Sequence, residues 1–219
     1  MQTHHQLFLD ALNIGPEWVL REIDVPSKEI PQTVSMMDWE TLEKTVTACQ
    51  QCNLCQTRTQ TVFGAGSRQA DWLIIGEAPG EQEDRRGQAF VGQAGQLLDN
   101  MLHAIGLSRA RNTYIANVLK CRPPGNRDPH PEEIAQCTQY LHRQITLLQP
   151  KCIILLGRFA AQTLLQTASS ISKLRGQIHQ YNEIPVIVTY HPAYLLRRPE
   201  EKAKAWADLC MVQGLAQLA

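Results

Sequence analysis

The 219-residue chain lacks an uninterrupted apolar run of the ~18 residues a membrane-spanning helix needs. It has no surplus charge of either sign, 21 Lys and Arg balancing 21 Asp and Glu, and only 6% of its residues are aromatic. No internal repeat and no low-complexity tract interrupts it. These absences exclude a membrane protein, a collagen, a coiled coil and an intrinsically disordered chain. The opening residues carry acids early and no Ala-x-Ala pattern, so no secretory signal is expected and the expected compartment is the cytoplasm. What is present is 43% hydrophobic residues, enough to bury a substantial core in one domain of ordinary size.

The zero net charge hides a split. Residues 1–48 hold three bases (Arg21, Lys28, Lys44) against eight acids, whereas residues 49–219 hold 18 bases, 13 of them Arg, against 13 acids. A charge of −5 in the first segment thus offsets +5 in the rest. Arginine forks suit phosphate, so neutrality of the whole is no argument against a polyanionic partner. Residues 1–48 read as an acidic arm and linker and are a candidate docking segment for a protein partner; residues 49–219 read as the main domain. Within the arm, an amphipathic stretch from Leu7 to Leu20 is broken near Gly15-Pro16. Asp38 is placed to cap a further short helix.

Four continuous apolar runs follow, at Trp72–Gly76, Tyr114–Leu119, Cys152–Gly157 and Val186–Tyr190. Continuous rather than alternating patterns suit strands buried on both faces of a parallel sheet. Helical patterns intervene at Ala94–Ile105, Pro131–Leu148, Arg158–Gln166 and Pro199–Leu218. The expected fold is therefore α/β: a three-layer α/β/α sandwich with a four-stranded parallel sheet. Ligands of such sheets sit beyond the carboxyl ends of the strands. The segments there, GEAPGEQED (76–84), KCRPPGNRDP (120–129), GRFAAQ (157–162) and HPAYLLRR (191–198), concentrate Gly, Pro, Arg and His.

Seven cysteines in a reducing compartment favour metal or cluster ligation over disulfides. Cys49 and Cys52 form a two-residue-spaced chelating pair, Cys55 follows, Cys121 lies just after the second strand, and Cys137 lies in the next helix. Cys152 and Cys210 read as core fillers. Two pairs as far apart as these suit a wide iron–sulfur cage better than a tetrahedral zinc, although the spacing alone leaves zinc and unligated thiols open.

Taken together, the CQQC pair at 49–52, RTQTVFGAG at 58–66, GEAPGEQED at 76–84, FVGQAGQLL at 90–98, NVLKCRPPGNR at 117–127 with Cys137, and HPAYLLR at 191–197 resemble the family 4 uracil-DNA glycosylases. The resemblance covers about residues 49–198 in the family's motif order. It implies a [4Fe–4S] cluster held by Cys49, Cys52, Cys121 and Cys137, with Cys55 a spare thiol, and it implies uracil-containing DNA as the partner of an enzyme expected to act as a monomer.

It also implies roles for the strand-end residues. Uracil excision breaks an N-glycosidic bond through an oxocarbenium-like sugar and a uracil anion with charge on O2, after the nucleotide has been turned out of the stack. Gly76, Ala78 and Gly80 of the first motif let the backbone approach the base closely. Ala78 stands where the related family 1 enzymes carry an Asp, so Glu77 is the carboxylate expected to position water or stabilise the cation. Gly80 stands where family 1 has a Tyr that blocks the thymine methyl, so methyl exclusion must come from elsewhere. Phe90 is expected to stack on the flipped base. Asn117, an amide that both donates and accepts, is expected to read uracil O4 and N3–H. His191 is expected to donate to the developing O2 charge. Leu195 or Leu196 is the expected wedge into the base stack, and Arg122, Lys173, Arg175 and Arg197 the expected phosphate contacts. Two other readings, an iron–sulfur redox protein and a non-catalytic, polymerase-associated DNA-binding module, would not need Glu77, Phe90, Asn117 and His191 to converge.

Overall fold

Because each of the four runs is apolar on both faces, the chain covers both sides of the sheet they form. The computed structural model describes residues 33–216. Its strands are β1 (Ala65–Gly66), β2 (Trp72–Gly76), β3 (Thr113–Asn117), β4 (Cys152–Leu156), β5 (Ile178–Tyr181) and β6 (Ile184–Thr189). They form one sheet in the order β1-β3-β2-β4-β6-β5. The four expected strands are its parallel centre, and β1 and β5 add short antiparallel edges that the sequence pattern did not announce.

Residues of alternate parity along the strands feed two separate cores. Leu73, Ile75, Ile153, Leu155, Val186 and Val188 face one layer. It holds α1 (Trp39–Thr47), α4 (Pro131–Leu148) and α5 (Arg158–Leu165). Ile74, Ile115, Ile154 and Ile187 face the other, with Leu98 and Leu102 of α3 (Gln93–Ala104) and Leu209 and Val212 of α8 (Lys202–Ala216). The remaining helices are short: α2 (Glu81–Arg86), α6 (Ile171–Leu174) and α7 (Pro192–Arg197). This is the three-layer α/β/α arrangement expected from the pattern. Among the described residues no helix is long and apolar enough to cross a membrane.

Local signals explain several boundaries. The Asp38 carboxylate accepts the Thr41 N–H at 2.8 Å and so caps α1. At α4, Pro131 opens the helix and Glu133 reaches back to the His130 N–H at 2.9 Å. The segment from Thr33 to Ala48, read from the sequence as part of the arm, belongs to the same compact unit as the sheet. The reason is α1 itself, whose Leu42 and Val46 are wholly buried in the core alongside α4. The amphipathic stretch between Leu7 and Leu20 lies outside the described residues.

Candidate active site and thiol cage

Parallel strands in register end together. Gly76 pairs with Asn117 across β2 and β3, and Leu156 with Thr189 across β4 and β6, so the four expected motif segments emerge at one edge of the sheet. They enclose a cleft of about 620 Å³. Glu77, Ala78, Gly80, Phe90, His191 and Arg197 line it, together with Asp128 and Arg158, which sequence reasoning had not singled out.

Phe90 is the most constrained of these residues. It is buried and adopts a left-handed backbone (φ 54°), uncommon for a side chain of this size and worth on the order of 1–3 kcal/mol of strain. Three neighbours hold it there. Glu83 accepts the N–H groups of Val91 and Gly92 at 2.8 and 2.9 Å, and Arg109 donates to the carbonyls of Ala89 and Phe90 at 2.7 and 2.9 Å. Gly95 is the third: a Cβ there would collide with the Phe90 carbonyl. The ring lies 5.5 Å from the His191 imidazole, tilted by 31°.

Gly76 and Asn117 adjoin Phe90. Parallel pairing points the Asn117 side chain to the same face as the missing side chain of Gly76. A Cβ on Gly76 would meet Asn117 Oδ1 and come within 2.7 Å of Phe90 Cζ. Asn117 is 2% exposed and its Oδ1 has no hydrogen-bond partner among the described residues. An orphaned buried acceptor costs about 1–3 kcal/mol. This one sits against the bare Cα of Gly76 and the edge of the Phe90 ring, packed so closely that only a glycine fits at 76; Phe90 lines the cleft, whereas Gly76 and Asn117 lie just behind its lining.

Glu77 and His191 are shifted in opposite directions. Burial, reinforced by the Asp128 carboxylate and opposed by Arg158, raises Glu77 to about 7. Burial, reinforced by Arg197 and opposed by Glu83, lowers His191 to about 4. The imidazole is therefore neutral at pH 7. Its Nδ1 accepts the Ala193 N–H at 3.1 Å, so Nε2 carries the proton and is the donor. Gly157, at φ 89°, lets β4 end close to this residue, since a Cβ there would lie 3.1 Å from His191 Cβ.

Several expected DNA contacts are placed differently from one another. Leu196 is exposed and remains the candidate wedge, but Leu195 is 1% exposed in a small core with Tyr190 and Ala205, which removes it from that role. Arg175 is likewise corrected to a framework residue. Its guanidinium binds both carboxylate oxygens of buried Asp208 at 2.9 and 3.1 Å and also donates to the Lys204 carbonyl. Lys173 is exposed beside Ser172, a cleft residue. Arg122 is half-buried, donates to Asn126 Oδ1 at 2.7 Å, and does not line the cleft.

On the opposite layer, Cys49, Cys52, Cys55, Cys121 and Cys137 line a single cavity. Donors are aimed at three of the sulfurs: Arg58 at Cys121 (3.0 Å), the Lys120 N–H at Cys137 (3.2 Å) and the Tyr140 hydroxyl at Cys49 (3.3 Å). Arg58 also reaches the Cys49 carbonyl at 2.8 Å and so ties two cysteine segments together. Burial pushes the Cys137 thiol up to about 12, with Lys120 opposing, and raises Cys52 and Cys121 as well. Buried and half-buried thiols suit a cationic metal core that keeps them deprotonated, and the surrounding cations and N–H donors suit the negative charge of the thiolates so ligated. Among the described residues, no group of three or more His, Cys, Asp and Glu is arranged to hold a metal ion. Cys152 is buried in β4 as expected; Cys210, expected as a core filler, is exposed because it falls on the outer side of α8. Arg58, Lys120 and Tyr140 escaped the sequence reading, although Arg58 opens one of the quoted motifs.

Comparison with known proteins shows what the chain is similar to. The family model described as the uracil DNA glycosylase superfamily matches residues 63–210. A type-4 uracil-DNA glycosylase of Archaeoglobus fulgidus is 41% identical over 181 residues, 79% of this chain and 90% of the relative. One from Sulfurisphaera tokodaii is 42% identical over 186 residues (81% and 84%), and one from Saccharolobus solfataricus 45% over 163 residues (70% and 75%).

Proposed function

The chain belongs to the uracil DNA glycosylase superfamily and, within it, to the type-4 uracil-DNA glycosylases; from that membership we propose that it turns a uracil nucleotide out of DNA and hydrolyses its N-glycosidic bond, releasing free uracil and leaving an abasic site. The observation that best supports this reading at the site is the orphaned Asn117 Oδ1, which meets the bare Cα of Gly76 where the Phe90 ring also approaches it.

Phe90 offers its ring face to the flipped base. Asn117 Oδ1 accepts uracil N3–H while the amide NH2 donates to O4; cytosine presents the reverse pattern at both atoms and is rejected. As the glycosidic bond breaks, its electron pair goes to the base, and the neutral His191 donates from Nε2 to the charge growing on O2. Glu77, ionised above about pH 7, orients the water that adds to C1′ and opposes the positive charge on the sugar. Its proton balance is simple: water supplies OH to the sugar and H to the leaving base. Leu196, Lys173 and Arg122 contact the DNA outside the pocket and Arg197 contacts it from the cleft wall, the cations acting on its phosphates.

Cys49, Cys52, Cys121 and Cys137 would hold a [4Fe–4S] cluster. One thiolate per iron is a wider arrangement than ligands converging on a single ion, in keeping with thiols that ring a cavity. Hydrolysis needs no electron transfer, so four such ligands would give the group a structural part, tying the segment around Cys49 to those around Cys121 and Cys137. Arg58 and Lys120 supply positive charge beside those sulfurs.

Purified protein is tested on oligonucleotides carrying one uracil, cytosine or thymine, at low salt, with alkali to cut abasic sites. Cleavage confined to the uracil strand is expected. Intact uracil strands would reject the reading and leave the redox or binding-module alternatives. Brown protein with about four irons per chain is expected for the cage, and colourless protein with stoichiometric zinc would reject the cluster.

A further inference from the structure

Lys120 follows the end of β3 by three residues and is 1% exposed, among the largest fully buried side chains of the described residues. Its ammonium donates to the main-chain carbonyl of Asn117 at 2.8 Å and to Gln144 Oε1 at 2.6 Å. Its backbone N–H donates to Cys137 Sγ at 3.2 Å. Gln144, buried on α4, in turn donates to the Phe63 carbonyl at 2.9 Å. Burying an ammonium against neutral oxygens is expensive, and the adjacent Val118 and Leu119 show that apolar side chains fill this region readily. A lysine here therefore has a task beyond filling space.

We propose that Lys120 is a positioning residue for uracil recognition, holding the Asn117 main chain while its own backbone is bonded to the thiol cage. The recognition amide is thereby registered against the cage as well as against the sheet. Asn117 Oδ1 makes no bond of its own among the described residues, so its aim is set through the backbone that Lys120 holds. Displacement of a recognition group by about 1 Å is enough to lose on the order of 100-fold in rate. The inference rests on the uracil-excising reading of the cleft.

Lys120→Met keeps the aliphatic length and removes the ammonium. The full-length protein is assayed for iron and visible absorbance, for uracil excision, and for affinity toward DNA carrying non-hydrolysable 2′-fluoro-2′-deoxyuridine or its cytidine counterpart. Iron content is expected to be retained, with the uracil-over-cytosine affinity ratio and kcat each falling by about tenfold or more. Simple destabilisation lowers the folded fraction and leaves that ratio unchanged. A ratio within about twofold of wild type, with iron retained, overturns the proposal. If Lys120→Met does not fold or take up iron, Gln144→Leu decides. It removes the second tether of the ammonium, and the ratio is expected to fall by roughly two- to fivefold; an unchanged ratio there also overturns the proposal. Wild-type protein that releases no uracil refutes the functional reading itself. Excision with a ratio indifferent to both variants refutes only the role of Lys120.

Discussion

Gly76→Ala adds one methyl group at the point where Phe90 and Asn117 meet. The backbone of Gly76 is not in the left-handed region, so alanine is tolerated there as a main-chain conformation. The new Cβ, however, would lie 2.7 and 2.9 Å from Phe90 Cζ and Cε2, and closer still to Asn117 Oδ1. Carbon atoms prefer separations of about 3.5–4.0 Å, so one group must move by roughly 1 Å. Phe90 cannot yield easily, because Glu83, Arg109 and Gly95 fix its peptide. The Asn117 amide is therefore the group that is displaced. Overpacking of this kind costs about 1–3 kcal/mol of stability, whereas a misplacement of about 1 Å in a reacting geometry costs on the order of 100-fold in rate. Activity is therefore expected to fall much further than stability. Single-turnover excision from a uracil-containing strand, measured beside thermal unfolding, separates the two. Folded Gly76→Ala protein that excises uracil within about threefold of the wild-type rate would refute the claim that this glycine lets the Asn117 amide and the Phe90 ring take their working positions.

Further outcomes follow from the same geometry. Because the Glu77 carboxyl is raised to about 7 and its ionised form does the work, the excision rate should drop as pH falls through 7, and Glu77→Gln should be slower and lack that limb; a wild-type limb that persists in the variant contradicts the assignment. His191→Ala removes the Nε2 donor and is expected to lower kcat by about 10²–10³ with little change in DNA affinity, checked by comparing single-turnover rates with binding isotherms; loss of affinity at normal rate reverses the role. Leu196→Ala should leave unfolding within ~0.5 kcal/mol of wild type while slowing excision from duplex DNA more than from a single strand. Leu195→Ala should cost about 2–5 kcal/mol as a core truncation; denaturant titration and duplex kinetics on both variants check the contrast.

The central sheet was legible because burial on both faces leaves an unbroken apolar run; β2 and α4 have the limits read from the pattern. The edges were not. β1 is two residues long and β5 is largely exposed, so neither carries an apolar signal. Residue types at the strand ends announced the cleft, since a fold of this class gathers those ends at one edge. What stayed hidden depends on partners remote in the chain. Arg175 reads as a free cation until Asp208, 33 residues away, engages it. Leu195 and Leu196 are equivalent in sequence, and only the packing of α7 decides which one is covered. A lysine after a strand reads as solvated, and nothing nearby announces that Gln144 will bury Lys120. The left-handed turn at Phe90 has no glycine to mark it.

The most direct measurement is release of the free base. Wild-type protein and the Asn117→Ala variant are incubated with an oligonucleotide containing one uracil; the base is counted by chromatography and the strand by alkali cleavage. Free uracil should appear in equal amount to abasic sites with the wild-type protein and be strongly reduced with the variant. Wild-type protein that yields no free uracil, or a variant that yields it at the wild-type rate, would contradict the account.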